Sequence, residues 1–233
     1  MVDRVNIMHD RIDPSRMTML EDKILLEKLE RDKSAGGLFL AGSGERTEHC
    51  YGKILRLGRG LMAETDGAVY PLDLKEGDTV LAMDYMGEKL QHRLDLKYFR
   101  IIRDHMIWAK VKLGKNMELQ DVEPYSSKVL VKITENNITE GGIKLPDNHQ
   151  SRGYTMATVV KVGPGWRDLK TGYLYPMTVK PGDIICMLRY AGSIIKLESK
   201  ELRLIEERPY MEGDPQPDII YIQDDWNGWK KYD

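Results

Sequence analysis

The sequence has few cysteines, no long apolar run and no excess of either charge. Only two of its 233 residues are cysteine, Cys50 and Cys186, and neither belongs to a CxxC pattern. A disulfide framework and a cysteine zinc site are therefore not expected, and the reducing cytoplasm is the default compartment. Lys and Arg number 35 against 37 Asp and Glu, which gives a formal charge of −2. This balance predicts neither nucleic acid nor an anionic membrane as a partner.

The sequence also lacks recognisable targeting and membrane-spanning patterns. Apolar runs such as residues 184–188 are far too short to cross a bilayer. No apolar core of a secretory signal is present near the N-terminus, and Asp3, Asp10 and Asp13 are unlike an organelle transit peptide. We therefore expect a cytoplasmic protein.

The chain contains an internal repeat with an offset of 105 residues (141 − 36 = 105). Gly-Gly, Gly-x-Gly, Tyr-Pro and Lys-x-Gly-Asp motifs all recur at that spacing, too many coincidences for chance. The offset holds from about residue 21 to residue 87, and the match resumes later if the second copy is two residues shorter. The matched segments are 36–37 with 141–142, 58–60 with 163–165, 69–72 with 174–177, 75–78 with 180–183 and 99–102 with 202–205.

Each copy has the pattern of short β-strands separated by glycine and proline. Only residues 17–29 show a helical period, and their match to the β-branched run 128–133 favours a strand for the C-terminal half. The predicted fold class is therefore all-β, with two small barrels or sandwiches in tandem. The predicted strands are 23–29, 53–57, 79–83, 89–90 and 99–102, then 128–133, 158–162, 184–188, 194–197 and 202–205.

A long polar stretch separates the first and second strands of each copy, over about 30–50 and 134–154. Loops of this length are commonly functional or disordered. Each holds one apolar island directly after a glycine pair. The island is either a short strand packed on its own barrel or a docking peptide that becomes ordered on binding. The two islands are Leu38, Phe39 and Leu40 after Gly36 and Gly37, and Ile143, Lys144 and Leu145 after Gly141 and Gly142.

These motifs resemble the GroES family, also called chaperonin-10. Residues 33–43 look like the bacterial mobile loop of that family, and 139–146 are similar to its mitochondrial and general bacterial form. Segments 71–78 and 176–183 match as well, so the resemblance covers most of the chain. It implies two tandem GroES-like β-barrels with long mobile loops and roof hairpins, of either a chloroplast-like or a phage-encoded kind. A phage-encoded form would work in the cytoplasm of the infected host.

The resemblance also implies a domain organisation. Residues 60–71 and 165–176 correspond to the hairpins of the dome roof, where Asp66-Gly67 and Thr171-Gly172 are tight-turn signals. The implied parts are an N-terminal extension 1–20, a first domain 21–112, a linker 113–125, a second domain 126–211 and an acidic, aromatic tail 212–233.

The implied function is that of a non-enzymatic lid on a GroEL-type chaperonin ring, enclosing unfolded client proteins. The apolar islands would insert between two helices of the chaperonin, which itself binds the ATP. Lys144 departs from the apolar residue usual in the family, so the second loop is expected to dock more weakly. The chain would form a homo-oligomeric ring, with seven chains favoured over four. Tyr85 and Tyr190 resemble the family tyrosine near the inner dome surface, with ordinary barrel packing as the alternative.

Enzymatic patterns are present only in fragments. Gly58, Gly60 and Ala63 fit the dinucleotide fingerprint, but a turn and a proline follow them rather than a helix. His49 and Cys50 are adjacent, and adjacent residues of a strand face opposite sides, which argues against a catalytic dyad. The histidines show no zinc-ligand spacing. We expect no enzyme activity, no cofactor and no metal. The rival hypothesis is an adaptor or virion-associated protein that reuses the barrels without binding a chaperonin.

Overall fold

The computed structural model describes residues 13–29, 49–83, 87–91, 98–115, 117–134, 153–168, 170–197, 200–207 and 218–223. Within these residues the regular structure consists of β-strands and two short 3-10 turns, Pro14–Arg16 and Asp104–Met106. This confirms the predicted all-β class. In the same part of the chain, no helix has the length and apolarity needed to cross a membrane.

The first copy builds a seven-stranded sheet and a separate two-stranded hairpin. Its sheet strands are β1 (Lys23–Leu29), β2 (His49–Leu57), β5 (Thr79–Met83), β6 (Glu88–Gln91), β7 (Tyr98–Arg103), β8 (Ile107–Leu113) and β9 (Leu119–Pro124). The hairpin consists of β3 (Leu61–Met62) and β4 (Val69–Tyr70). The strand order in the sheet is β6-β7-β1-β2-β5-β8-β9.

The second copy builds a six-stranded sheet and its own hairpin. Its sheet strands are β10 (Lys128–Ile133), β11 (Tyr154–Val162), β14 (Ile184–Leu188), β15 (Ser193–Leu197), β16 (Lys200–Glu206) and β17 (Ile219–Gln223). The hairpin consists of β12 (Trp166–Arg167) and β13 (Leu174–Tyr175). The order β15-β16-β10-β11-β14-β17 repeats that of the first sheet except for β9.

The strand registers reproduce the repeat residue by residue. Ile24 pairs with Leu57, and the equivalent Val129 pairs with Val162. Each of these ladders is interrupted by a register shift one residue later, at Leu25/Leu26 and at Leu130/Val131. On the other side Ile24 pairs with Ile102, while Val129 pairs with Ile205. The offset has fallen to 103 there (205 − 102), which confirms that the second copy is two residues shorter.

The central strand of each sheet is buried on both faces. Three consecutive residues of β1, Ile24 to Leu26, are at most 1% exposed, and Val129 to Val131 of β10 are 0% exposed. Because adjacent strand residues face opposite sides, such a run requires packing on both faces. In the first copy, Leu25 packs with Met19 and Phe99. Each fully buried aliphatic side chain contributes about 1.5–3 kcal/mol, so these strands anchor the two cores.

The contacts divide the chain into two units. The first unit is Met1–Val122 together with Arg167–Leu174, and the second is Glu123–Trp166 together with Tyr175–Asp233. The tip of the second hairpin therefore belongs to the first unit. Two strands lie in segments that were assigned to other roles: β9 in the expected linker 113–125, and β17 in the expected tail 212–233.

Candidate functional site

The first long loop leaves the sheet at the end of β1 and returns on β2, its neighbour. Leu29 pairs with Tyr51 at this stem. On the other side of β2, His49 pairs with Met83 of β5. The His49 ring also meets Trp108 edge to face, with 5.2 Å between the ring centroids. The returning strand is therefore fixed by a ladder and by a ring contact at the residue where it begins.

The second loop has an equivalent stem with a more polar composition. The Thr134 N–H donates to the Met156 carbonyl oxygen at 2.9 Å. Gly153 starts the return at a φ of 105°, a conformation that glycine adopts without strain. The Arg189 N–H donates to the Gly153 carbonyl oxygen at 2.9 Å. The loop thus re-enters the sheet at a glycine whose backbone is tied to the end of β14.

Both apolar islands lie at the midpoints of their loops. Phe39 is ten residues from Leu29 and ten from His49, the two ends of the flanking strands (39 − 29 and 49 − 39). Ile143 is ten residues from Ile133, where β10 ends, and ten from Gly153. The expected docking residues lie outside the described residues; they are Gly36, Gly37, Leu38, Phe39, Leu40, Gly141, Gly142, Ile143, Lys144 and Leu145.

The two predicted roof hairpins are confirmed as hairpins of the same construction. The Ala63 N–H donates to the Ala68 carbonyl oxygen at 2.9 Å, and the Asp168 N–H donates to that of Tyr173 at the same distance. Gly67 and Gly172 occupy the equivalent turn positions with φ of 70° and 71°. Both turns therefore need the left-handed backbone that glycine favours.

The turn of the second hairpin is reinforced by a carboxylate. Asp168 accepts hydrogen bonds from the Lys170 N–H at 2.9 Å and from the Thr171 hydroxyl at 2.8 Å. These bonds favour the ionised form, so they hold the pKa of Asp168 below its usual value. The first hairpin has alanine at the equivalent position 63 and uses Asp66 instead, which accepts from the Ala68 N–H.

The two tyrosines that resemble the cavity-facing family residue have different outcomes. Tyr85 lies outside the described residues. Tyr190 is 87% exposed, so it is not packed in the core of its own sheet. That it faces an enclosed cavity stays a prediction.

Comparison with known proteins agrees with the repeat. The family described as Chaperonin 10 Kd subunit matches this chain twice, over residues 16–111 and 121–210. The chain belongs to this family. A chaperonin-10 domain is therefore present in each copy, and the match covers both loop stems, both hairpins and most of both sheets, whereas β17 lies beyond it.

The relatives include tandem and single-domain proteins. The 20 kDa chloroplastic chaperonin of Spinacia oleracea is 25% identical over 179 residues, which are 76% of this chain and 66% of the spinach protein. Co-chaperonin GroES 1 of Vibrio cholerae is 39% identical over 94 residues, 40% of this chain and 95% of that protein. Co-chaperonin GroES of Orientia tsutsugamushi is 40% identical over 85 residues, 36% of this chain and 88% of that protein.

The sequence comparison of the two copies missed the strand that ends the repeat. Leu81 of β5 pairs with Ala109 of β8, and the equivalent Cys186 of β14 pairs with Tyr221 of β17. Each ladder has a register shift next to that pair, so β17 is the counterpart of β8. The offset is 112 at this point (221 − 109), which hides the match at a fixed spacing. The apolar run 219–222 was the available signal.

Proposed function

We propose that this protein is a co-chaperonin that caps a GroEL-type chaperonin ring while client proteins fold in the enclosed cavity. The ring binds and hydrolyses the ATP, and the lid contributes no catalytic group. The observation that carries the proposal is the pair of apolar islands centred in two long loops with ordered stems, in a chain of the chaperonin-10 family. The relatives whose names contain the word co-chaperonin support it.

Docking is assigned to Leu38, Phe39 and Leu40 in the first loop, and to Ile143, Lys144 and Leu145 in the second. The outer two residues of each island carry the burial, about 1.5–3 kcal/mol for each aliphatic side chain. Ordering the loop on binding offsets a large part of that gain. Each loop therefore binds weakly, and a high overall affinity arises only when several loops of one lid bind the same ring. This balance suits a lid that must leave in every ATP cycle.

Oligomerisation is assigned to the edge strands. Among the described residues no strand covers the outer side of β17, whereas its counterpart β8 is covered by β9. Subtracting the offset from the range of β9 gives residues 14–19 (119 − 105 = 14). We infer that residues 14–19 of another copy pair with β17, as β9 pairs with β8. Met19 and its counterpart Pro124 are both buried, which supports the equivalence.

A head-to-tail contact of this kind closes into a ring or grows into a fibre. We favour a closed ring of seven chains, because the GroEL-type partner offers seven equivalent sites and every chain then occupies one. In that arrangement one loop of each chain does most of the docking. The first loop is the better candidate because its island is wholly apolar, whereas Lys144 must keep its ammonium group in water. Four chains, with both loops docking, is the alternative.

The proposal is tested by mixing the purified protein with a GroEL-type ring, with and without ATP. We expect co-sedimentation only with nucleotide, together with a changed ATPase rate of the ring. The protein alone is the control for the ATPase measurement. The proposal would be contradicted if the protein did not bind the ring, or if it bound equally with and without ATP. It would also be contradicted if this chain alone hydrolysed ATP at the rate of a chaperonin.

A further inference from the structure

One edge of the second sheet is open, as is the equivalent edge of the first. β15 and β6 are the end strands of their sheets, and no strand in the described part of the chain covers the outer side of either one. Their registers show that they are counterparts, because Ile194 pairs with Arg203 and Lys89 pairs with Arg100. The backbone N–H and C=O groups along such an edge can pair with another extended chain.

The two edges differ in the side chains that they expose. β6 exposes Glu88 and Lys89, and charged residues of this kind keep an edge strand from pairing with other chains. β15 has isoleucine at the position of Lys89, and Ile194 is 53% exposed. Tyr190, in the turn between β14 and β15, is 87% exposed. The second copy therefore presents apolar side chains where the first copy presents charges.

Two half-buried arginines lie beside these apolar side chains. Arg203 is on the same face of the sheet as Ile194, because directly opposed residues of neighbouring strands share a face. Arg203 Nη1 donates to the carbonyl oxygen of Arg189, the residue that precedes Tyr190. The Nε atoms of both arginines are buried and have no hydrogen-bond partner among the described residues. We call these four residues, Arg189, Tyr190, Ile194 and Arg203, the β15 surface.

The positive charge of this surface is not balanced locally. Within the described residues, neither arginine forms an ion pair with a carboxylate. Glu201, the nearest acidic residue along β16, stands opposite Lys196. In the first copy the residue at the position of Arg189 is Asp84 (189 − 105 = 84). The second copy thus has a second cation in place of a carboxylate, so a group that binds here should supply the carboxylate.

We propose that the β15 surface binds an extended, acidic segment of an unfolded client protein, which pairs with β15 as an added strand. Apolar side chains of the segment pack on Tyr190 and Ile194, and its carboxylates accept hydrogen bonds from the two arginines. A second copy of β15 is a poorer partner, because it would bring two more arginines to the same edge. The proposal rests on the co-chaperonin function proposed above and adds to it a direct contact between lid and client.

A single contact of this kind is weak. Ordering an extended segment offsets much of the free energy gained when it binds. Each chain of the proposed ring carries one β15 surface, so a client with several acidic segments is held by several weak contacts. The lid therefore favours acidic clients and still releases each segment readily.

Two fluorescent peptides that differ only in charge test the proposal on the full chain. One alternates valine with glutamate and the other alternates valine with lysine. By fluorescence anisotropy, we expect the wild type to bind the glutamate peptide at least tenfold more tightly than the lysine peptide. Y190S/I194S should weaken binding of the glutamate peptide at least tenfold, and R189Q/R203Q should remove the preference for it. Equal binding of the two peptides by the wild type, or unchanged binding by Y190S/I194S, overturns the proposal.

A charge-matched control separates the β15 surface from the net charge of the chain. K132Q/K180Q also removes two positive charges, from exposed lysines of the same unit, and should keep the preference for glutamate. Loss of the preference in this control would overturn the proposal. Thermal melts check that the variants fold, and Y190S/I194S should melt as the wild type does because both side chains are exposed.

Binding to the chaperonin ring separates the two levels of inference. With ATP, the wild type and all three variants should bind a GroEL-type ring equally, because none of the substitutions lies in a docking loop. A wild type that does not bind the ring would contradict the proposed function. A wild type that binds the ring but does not bind the glutamate peptide would contradict only the contact between lid and client.

Discussion

Lys128 and Glu206 face each other across β10 and β16 with 2.6 Å between Nζ and Oε1, and the lysine side chain is only 3% exposed. Ser127 adds a hydroxyl donor to the same carboxylate oxygen at 2.8 Å. A buried charge that keeps its partner is tolerated, whereas a buried charge that loses its partner is costly. The pair therefore makes the second sheet dependent on both residues together.

Removing the carboxylate is expected to destabilise the second sheet strongly. E206Q leaves the Lys128 ammonium buried without its nearest anion, so we expect a loss of about 3–5 kcal/mol in the free energy of unfolding. The double variant K128M/E206Q is expected to recover at least half of that loss. Urea unfolding of the wild type, E206Q, K128M and K128M/E206Q forms a double-mutant cycle, which measures the coupling free energy between the two residues. Additive effects would show that the two residues are not coupled.

Asp218 gives the stability a dependence on pH. Burial raises the pKa of this carboxyl above its usual 3.8, and the nearby Glu206 charge raises it further, against the hydrogen bond from the Glu206 N–H. The native state therefore holds the proton more tightly than the unfolded chain. Stability is greatest below about pH 3.8 as far as this group is concerned, and it falls as the pH rises to the raised pKa.

D218N is expected to abolish that part of the pH dependence. The amide oxygen still accepts from the Glu206 N–H, and no charge is buried. We expect the variant to equal or exceed the wild type in stability at pH 7, with the difference shrinking as the pH is lowered through the raised pKa. Thermal melts between pH 3.5 and 7 measure this, with D168N, in the exposed turn, as the comparison. A difference that grows on acidification would reverse the sign and disprove the assignment.

Gly60 is expected to tolerate no side chain, although Gly67 on the same hairpin does. Gly60 has a φ of 125°, and a β-carbon there would lie 2.0 Å from the Tyr70 carbonyl oxygen. G60A should therefore cost at least about 2 kcal/mol of stability through strain alone. The Gly67 turn has a φ of 70° with nothing within 4 Å, and asparagine adopts that conformation. G67N should remain within about 1 kcal/mol of wild type in urea unfolding; similar losses from both variants would refute this.

The two loops are expected to contribute unequally to chaperonin binding. L38D/L40D places two charges in the docking groove, each at a cost of several kcal/mol, so we expect no detectable binding. I143D/L145D should weaken binding by a smaller factor, because the island around Lys144 docks less tightly. A binding titration against the nucleotide-bound ring compares them, with circular dichroism melts as the control for folding. Equal losses would mean that both loops dock and that four chains, rather than seven, form the ring.

The sequence was sufficient to predict the strands that obey the 105-residue offset. Glycines at equivalent turns and apolar runs of equal length placed β2, β5 and both hairpins, and the pairing of Val129 with Ile205 confirmed the shorter second copy. These features depend on local backbone conformation and on strand periodicity, which are visible in a single sequence. Residues 23–29 were also predicted correctly as a strand, because their equivalents around Val131 are β-branched.

The strands at the sheet edges were not predictable in the same way. Tyr221, which pairs with Cys186, is the counterpart of Ala109. It lies seven residues beyond position 214, where the 105-residue offset would place that counterpart (221 − 214 = 7). An insertion in a connection costs little free energy, so the fold absorbs it while the sequence match is lost. β9 lies in the segment predicted as a linker, and the residues that correspond to it at the 105-residue offset, 14–19, contain a 3-10 turn rather than a strand. An edge strand is defined by its partner, and its own sequence specifies it weakly.

The charges where β1 pairs with β7, and where β10 pairs with β16, should also disfavour an exchange of strands between the two copies. In the first copy Lys23 pairs with Arg103, whose guanidinium is bound by Asp22 at 3.1 Å; in the second the same positions hold Lys128, Glu206 and Ser127. A strand exchanged between repeats, a typical error of tandem proteins, would bring β10 against β7. The buried Lys128 would then oppose Arg103 with a serine in place of the carboxylate. Two domains of the same fold on one chain can therefore fold without exchanging strands, because the misassembled hybrid buries a cation with no anion to receive it.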